Sequence, residues 1–160
     1  MAEFYLPTAL HIGRGTFNSM GTLASRYGHR ALLVTGGASA RRSGLLDRTV
    51  ALLGAAVVAA VLFDRATGEP DLALVEQGVE VARREQCDVA LGLGGGSALD
   101  AAKAIAGVAT LPGTIWDYHA GRKIEQAGLP FLAVPTTAGT GAEVTKNAVL
   151  VDPRDHAKYS

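Results

Sequence analysis

"GLGGGSALDAAKAIA", residues 92–106, places four glycines in five positions directly ahead of an alanine-rich stretch. Before it, Asp88–Leu93 is an apolar run that suits a buried strand, and Ala98 to about Val108 has the composition of a helix. The glycines therefore fall at the carboxyl end of a strand and immediately before a helix. Ligands of open parallel sheets bind at that edge. Glycine lets the backbone approach a ligand closely, while the first helical N–H groups are unpaired and partly positive. A phosphate is the natural occupant. A strand-to-helix turn can need glycine for its own geometry, but the run Gly94-Gly95-Gly96 exceeds what a tight turn requires. Ser97 followed by Asp100 is a capping-box pattern and predicts the helix start there.

The rest of the chain alternates in the same way. Phe4–Ile12 reads as a strand or hairpin arm and Phe17–Tyr27 as a helix closed by Gly28. Ala31–Thr35 reads as a buried strand, and a helix follows over Ser43–Leu53. Ala56–Phe63 is a further strand; Gly68-Glu69-Pro70-Asp71 is a turn whose Asp71 caps a helix over Leu72–Gln86. That helix carries Leu72, Val75, Val79 and Ala82 on one face. Leu129–Val134 is the next strand, and "HAKYS" reads as the start of another. Strands without polar alternation, separated by helices, predict a parallel sheet covered on both faces. The class is α/β.

Two familiar phosphate-binding templates do not fit. The dinucleotide fingerprint G-x-G-x-x-G needs glycine where Ser97 stands, and the P-loop needs glycine at Ser97 and lysine at Ala98. A second stretch, "AVPTTAGTGAEVTKNAVLVD" (133–152), carries a strand into Pro135 and then into hydroxyls and small residues. Thr136, Thr137 and Thr140 suit ribose and phosphate contacts, although a threonine-rich loop can equally satisfy its own backbone.

Composition narrows the classes further. Over 160 residues, 48% are hydrophobic and 19% charged, which excludes a disordered chain. Fifteen basic residues balance fifteen acidic ones, so no net field draws the chain to nucleic acid or anionic lipid. Val50–Phe63 is interrupted by Gly54 and falls short of the about 20 apolar residues that span a bilayer. No membrane or nucleic-acid partner is expected. The single cysteine, Cys87, has no internal disulfide partner, and the N-terminus has no signal-peptide pattern; both point to the cytoplasm.

The run Gly94–Lys103 and the run Pro135–Glu143, with Trp116-Asp117-Tyr118 between them and Val144–Asn147 after them, resemble the iron-containing (group III) alcohol dehydrogenases. The likeness extends over essentially the whole chain. It implies a Rossmann-like doubly wound parallel sheet of the dehydroquinate synthase-like kind, with residues 1–160 as an NAD(P)-binding α/β domain. It also implies an enzyme that interconverts alcohols with aldehydes or ketones, acts on a small alcohol or carbonyl substrate, and forms a homo-oligomer. Carried over from the family, Gly94, Gly95, Gly96 and Ser97 hold the cofactor pyrophosphate. Asp100 either orients that loop and meets the nicotinamide side or serves as a helix-cap acid. Thr136, Thr137 and Thr140 line the cofactor groove, Lys158 lies near the ribose, and Asn147 lies close to the substrate. Lys103 is expected as a packed or ion-paired helix residue.

Departures from the pattern are informative too. Iron or another divalent metal is held in the family by a helical domain that would lie beyond Ser160. His11, His29, His119 and His156 have no metal-ligand spacing. The chain is therefore expected to be the cofactor domain of a longer enzyme and to be inactive by itself. A related glycerol dehydrogenase or dehydroquinate synthase-like enzyme, and a non-catalytic nucleotide-binding fragment, are the alternatives. Gly36 stands at the cofactor-side strand end that the family often fills with aspartate, and Glu69 where asparagine is frequent. With no carboxylate at Gly36 and with Arg41 and Arg42 nearby, NADPH is expected to bind at least as well as NADH.

Overall fold

A computed structural model describes residues 8–160. A 3₁₀ turn (Thr16–Ser19) leads into α1 (Met20–Ala24), followed by β1 (Arg30–Thr35), α2 (Ser39–Arg42) and α3 (Leu45–Ala55). Next come β2 (Ala59–Phe63), α4 (Leu72–Arg84), β3 (Val89–Gly94) and α5 (Gly96–Val108). The remainder is α6 (Ile115–His119), β4 (Phe131–Pro135), β5 (Leu150–Val151) and β6 (Lys158–Tyr159).

The four long strands form one parallel sheet in the order β2-β1-β3-β4, and β5 and β6 form a separate antiparallel hairpin. The register aligns Leu62, Leu33, Leu91 and Leu132 across the sheet. β1 and β3 are buried on both faces, as their unbroken apolar runs require. One face packs Val75, Val79, Ala101, Ala102 and Ile105 of α4 and α5 against Leu32 and Val34. The other packs Met20, Ala24, Leu46 and Leu53 of α1 and α3 against Leu33, Leu91 and Leu93. This is the expected Rossmann-like doubly wound α/β architecture.

Several boundaries differ from expectation, each for a local reason. Residues 8–12 form no strand, and the rest of the expected Phe4–Ile12 strand lies outside the described residues. The helix expected over Ser43–Leu53 is α3, Leu45–Ala55, which starts later because Gly44 adopts a left-handed φ of 73° as its N-cap; the short α2 before it is not among the expected elements. β2 starts three residues late because the chain is still closing α3: Val58 N–H donates to Leu53 O at 2.9 Å. Val57 is left 82% exposed at φ 59°, a strained position for a β-branched residue. α5 begins at Gly96 with Gly95 as its N-cap, and no side chain caps it, so the expected Ser97–Asp100 capping box is not formed. A capping box occurs instead at Thr114 and Asp117, where it starts α6. Asp71 does cap α4, accepting from Leu74 N–H at 2.7 Å.

Arg83 terminates α5 from outside. Its guanidinium donates to the carbonyls of Ala109 (2.9 Å), Gly113 (3.0 Å), Val108 (3.2 Å) and Leu111 (2.5 Å). Carbonyls at a helix end have no intrahelical donor, and the planar fork reaches several at once. Replacing Arg83 with methionine is expected to destabilise the chain by about 1.5–3 kcal/mol, and lysine to recover little of it. Urea unfolding followed by circular dichroism measures both.

Candidate functional site

The glycine loop and the threonine loop meet at the carboxyl ends of β3 and β4. Gly94 and Pro135 are register partners, and Thr136 N–H donates to Gly94 O at 2.8 Å. Past that point there is little room. A Cβ on Gly95 would lie 3.2 Å from Thr137 Oγ1, and one on Gly96 would lie 3.2 Å from Thr140 Cβ. Thr140 Oγ1 in turn accepts from Ala142 N–H at 3.3 Å. Gly94 has φ 153°, and a Cβ there would meet Ala98 Cβ at 2.8 Å.

Above the start of α5 lies a cavity of about 190 Å³, lined by Glu69, Pro70, Gly96, Ser97, Asp100, Val149, Val151 and Lys158. The α5 macrodipole directs its positive end there, and its first N–H groups lack intrahelical acceptors. Asp100 does not face the cavity as a free acid. Its Oδ1 accepts from Lys103 Nζ at 3.3 Å, and its Oδ2 accepts from Val149 N–H at 3.2 Å. Lys103 is the ion-paired helix residue expected, and it also donates to Thr145 Oγ1 (3.1 Å) and to Asn147 O (2.7 Å). Together the pair stitches the 145–149 segment onto α5.

The opposite wall is built from long-range contacts. Val151 N–H donates to Pro70 O at 2.9 Å, and Val151 pairs with Lys158 in the β5–β6 hairpin. Glu69 and Lys158 are thereby brought side by side, and they form an ion pair. On the far face of the hairpin, the buried Asp152 accepts from Arg154 through both oxygens (2.9 and 2.5 Å) and pairs with His119 Nε2 at 3.1 Å. The Arg154 guanidinium lies 5.0 Å from the Trp116 ring centroid, and the His119 and Tyr159 rings meet edge to face at 4.6 Å. Tyr159 donates its hydroxyl to Asp155 at 2.6 Å, which lowers the Asp155 carboxyl pKa and raises that of the phenol.

Gly94, Gly95, Gly96, Ser97, Asp100, Thr136, Thr137, Thr140 and Lys158 are thus gathered at one end of the sheet. Of the expected residues, Gly96, Ser97, Asp100 and Lys158 line the cavity; Gly94, Gly95, Thr136, Thr137 and Thr140 lie beside it, and Gly36 and Asn147 are not on its wall. A Cβ on Gly36 would strike Ala66 O at 2.7 Å, so chain packing alone accounts for the glycine. Asn147 Nδ2 donates to Ser160 Oγ at 3.2 Å. Arg41 pairs with Asp64 at 3.3 Å, beside the end of β2. Sequence reasoning missed Pro70, Val149 and Val151 as lining residues, since only the hairpin brings them there. It also missed Glu143, whose Oε2 is buried without a partner, as is Thr35 Oγ1.

The family profile of iron-containing alcohol dehydrogenases matches residues 7–160. The chain belongs to the iron-containing alcohol dehydrogenase family. It is 36% identical over 152 residues to the NAD-dependent methanol dehydrogenase of Bacillus methanolicus, covering 95% of this chain and 40% of that protein. The crystal structure of NADH-dependent butanol dehydrogenase A from Thermotoga maritima matches with a TM-score of 0.91 and 35% identity, over 99% of this chain and 40% of that one. An archaeal halo-thermophilic alcohol dehydrogenase from a Red Sea brine pool matches with a TM-score of 0.92 and 33% identity, over 99% of this chain and 42% of that one. The chain thus spans well under half the length of these relatives. Among the described residues of this iron-containing alcohol dehydrogenase chain, no three His, Cys, Asp or Glu side chains gather into a group that could hold a metal. No helix among the described residues is long and apolar enough to cross a membrane.

The Asp152 clasp has a pH signature. Hydrogen bonds from the Arg154 side chain outweigh the cost of burial and hold the Asp152 carboxyl well below the usual carboxylate range. A carboxyl depressed in the folded state stabilises fully above its unfolded value of about 3.9 and loses that contribution as pH falls toward the folded value. Trp116, the only tryptophan, reports the clasp directly. Its fluorescence is expected to change below about pH 4, and Asp152→Asn is expected to remove that transition.

Proposed function

We propose that the cavity at the start of α5 takes the diphosphate of a nicotinamide dinucleotide. In this reading, residues 1–160 are the NAD(P)-binding part of an alcohol dehydrogenase that interconverts an alcohol with an aldehyde or ketone. The observation that carries it is the glycine-bounded N-terminus of the 13-residue helix α5, opening into a cavity with Ser97 and Lys158 on its wall. Unpaired N–H groups there have the geometry and polarity to hold phosphate oxygens. The names of the methanol and butanol dehydrogenases above, NAD- and NADH-dependent, support the same assignment.

When bound, the nicotinamide supplies the hydride transfer. The chain's own residues bind and orient. Gly94, Gly95, Gly96 and Ser97 cradle the diphosphate, Thr136, Thr137 and Thr140 flank it, and Lys158 offers an ammonium to phosphate or ribose oxygens. Asp100 acts through Lys103 and Val149 N–H to set the position of the 145–149 segment. Asn147 lies on that segment, toward the small alcohol or carbonyl substrate. Iron or another divalent metal is contributed by residues other than those described, so the 160-residue chain is taken to bind cofactor without oxidising alcohol. A homo-oligomer in the cytoplasm completes the proposal, the location supported by the buried, unpaired Cys87.

Calorimetric titration with NADH tests the central reading. Gly95→Ala puts a methyl group 3.2 Å from Thr137 Oγ1, between the glycine and threonine loops. It is expected to weaken NADH by about tenfold or more, the loss of one charge-assisted hydrogen bond. Unchanged binding in a variant that melts like the parent would make the loop a turn and nothing more.

Cofactor choice is decided at the other end of the groove. β1 ends in Thr35-Gly36 without a carboxylate, and the nearby Asp64 is already engaged by Arg41 at 3.3 Å. Arg41 and Arg42 can clamp a 2′-phosphate there, Arg41 by exchanging Asp64 for it. NADPH is expected to bind at least as tightly as NADH, and the double change Arg41→Ala, Arg42→Ala to weaken NADPH alone. A strong NADH preference in the same titration refutes this.

A further inference from the structure

We infer that Glu69 is an electrostatic filter on the phosphate cavity: its carboxylate neutralises Lys158 and holds affinity for anionic ligands below what the helix terminus and the lysine would otherwise give. This rests on the reading of the cavity as a diphosphate site. Among the described residues, the cavity wall carries three ionisable side chains, Glu69, Asp100 and Lys158. Asp100 is already committed, with Lys103 on one oxygen and Val149 N–H on the other. Lys158 is the one cation on the wall among the described residues, and Glu69 is its partner. Both local charges are therefore cancelled in pairs, leaving the α5 N-terminus as the uncompensated positive pole.

The pairing is imposed by the fold. Val151 is tied to both sides at once: its N–H donates to Pro70 O, next to Glu69, and it faces Lys158 across the hairpin. The Asp71 cap of α4 fixes the Glu69 turn from behind, and the His119–Asp152–Arg154 clasp fixes the hairpin. Glu69 thus cannot drift far from the cavity. The two side chains are 61% and 58% exposed, so the ion pair itself adds little to stability. Its consequence is felt by a ligand. A diphosphate entering the cavity meets a carboxylate of like charge and must draw Lys158 away from it. The repulsion acts through a solvated cleft, so it is moderate in size and sensitive to salt.

Calorimetric titration of the 160-residue chain with NADH and with inorganic pyrophosphate tests this, using E69Q, E69N, K158Q and the E69Q/K158Q double variant. E69Q and E69N are expected to bind both ligands about three- to tenfold more tightly than the parent at low salt, the size of one like charge removed across a wet cleft. The gain is expected to vanish at about 1 M salt. K158Q is expected to lose less affinity with Glu69 present than in the E69Q background, because breaking the Glu69 pair offsets part of the lysine's attraction to the ligand; the double-variant cycle reads that coupling. Equal binding by parent, E69Q and E69N overturns the inference while leaving the diphosphate site intact. Weaker NADH binding by E69Q also overturns it, and makes Glu69 a hydrogen-bond acceptor for the ligand. Failure of parent and variants alike to bind either ligand removes the diphosphate reading and the filter with it.

Discussion

The closeness of α5 to β3 is the constraint from which the rest follows. A Cβ on Gly92 would lie 3.0 Å from Ala102 Cβ and 3.1 Å from Leu99 Cδ2, and one on Gly94 would lie 2.8 Å from Ala98 Cβ. Glycine on the strand facing alanine on the helix lets the two backbones approach further than branched side chains would allow. The same device operates on the helix's other flank, where a Cβ on Gly78 of α4 would lie 2.2 Å from Ile105 Cδ1. So the glycines before the helix and the alanines within it are one feature. They seat α5 deep in the fold and fix where its first turn emerges between β3 and the threonine loop.

With α5 fixed, the local charges are arranged around its first turn. Asp100 and Lys103 lie one turn apart on the helix, and each has a further partner on the 145–149 segment. Their side chains are mostly buried, at 14% and 13% exposure, and a buried charge is tolerable only when paired and hydrogen-bonded. That requirement ties the threonine loop's continuation to the helix. The loop is then held at both ends, by Thr136 N–H on Gly94 O and by Lys103 Nζ on Asn147 O. A groove whose loop is bonded at one end to β3 and at the other to α5 keeps its width without a ligand, which reduces the ordering cost of binding.

Sequence patterns exposed most of the sheet because burial on both faces leaves no polar alternation to confuse them. Ala31–Thr35 and Asp88–Leu93 lie within a residue of β1 and β3, and Asp71 caps α4 as its position before the helix suggests. Local chemistry misled where two signals competed. Ser97 with Asp100 has the form of a capping box, yet Gly95 takes the N-cap and Asp100 turns to Lys103 and Val149. Thr114 with Asp117 has the same form and does cap, because the chain arrives there extended at φ −120°, ψ 164°. The α5 side of the candidate site was legible because its residues are contiguous. The far wall was not, since Glu69 and Lys158 are 89 positions apart and meet only once the hairpin has formed and Val151 is bonded to Pro70.

That far wall also explains why so small a hairpin carries so many polar contacts. β5 and β6 have two residues each, too few for their ladder to hold alone. Side chains alternate across a strand, so Lys158 faces the cavity while Tyr159 faces His119. Asp152 anchors the turn between the strands, accepting from Arg154 and pairing with His119, while its backbone N–H donates to Ala157 O at 3.0 Å. α6 supplies His119 and Trp116, and is itself held to α4 through Ile115 N–H and Glu76 Oε2 at 2.8 Å. The position of Lys158 is therefore set by a chain of contacts running from α4 through α6 to the hairpin. Position matters more than charge count here, because one ammonium displaced by a few ångströms loses a large part of its influence on an anion in a wet cleft.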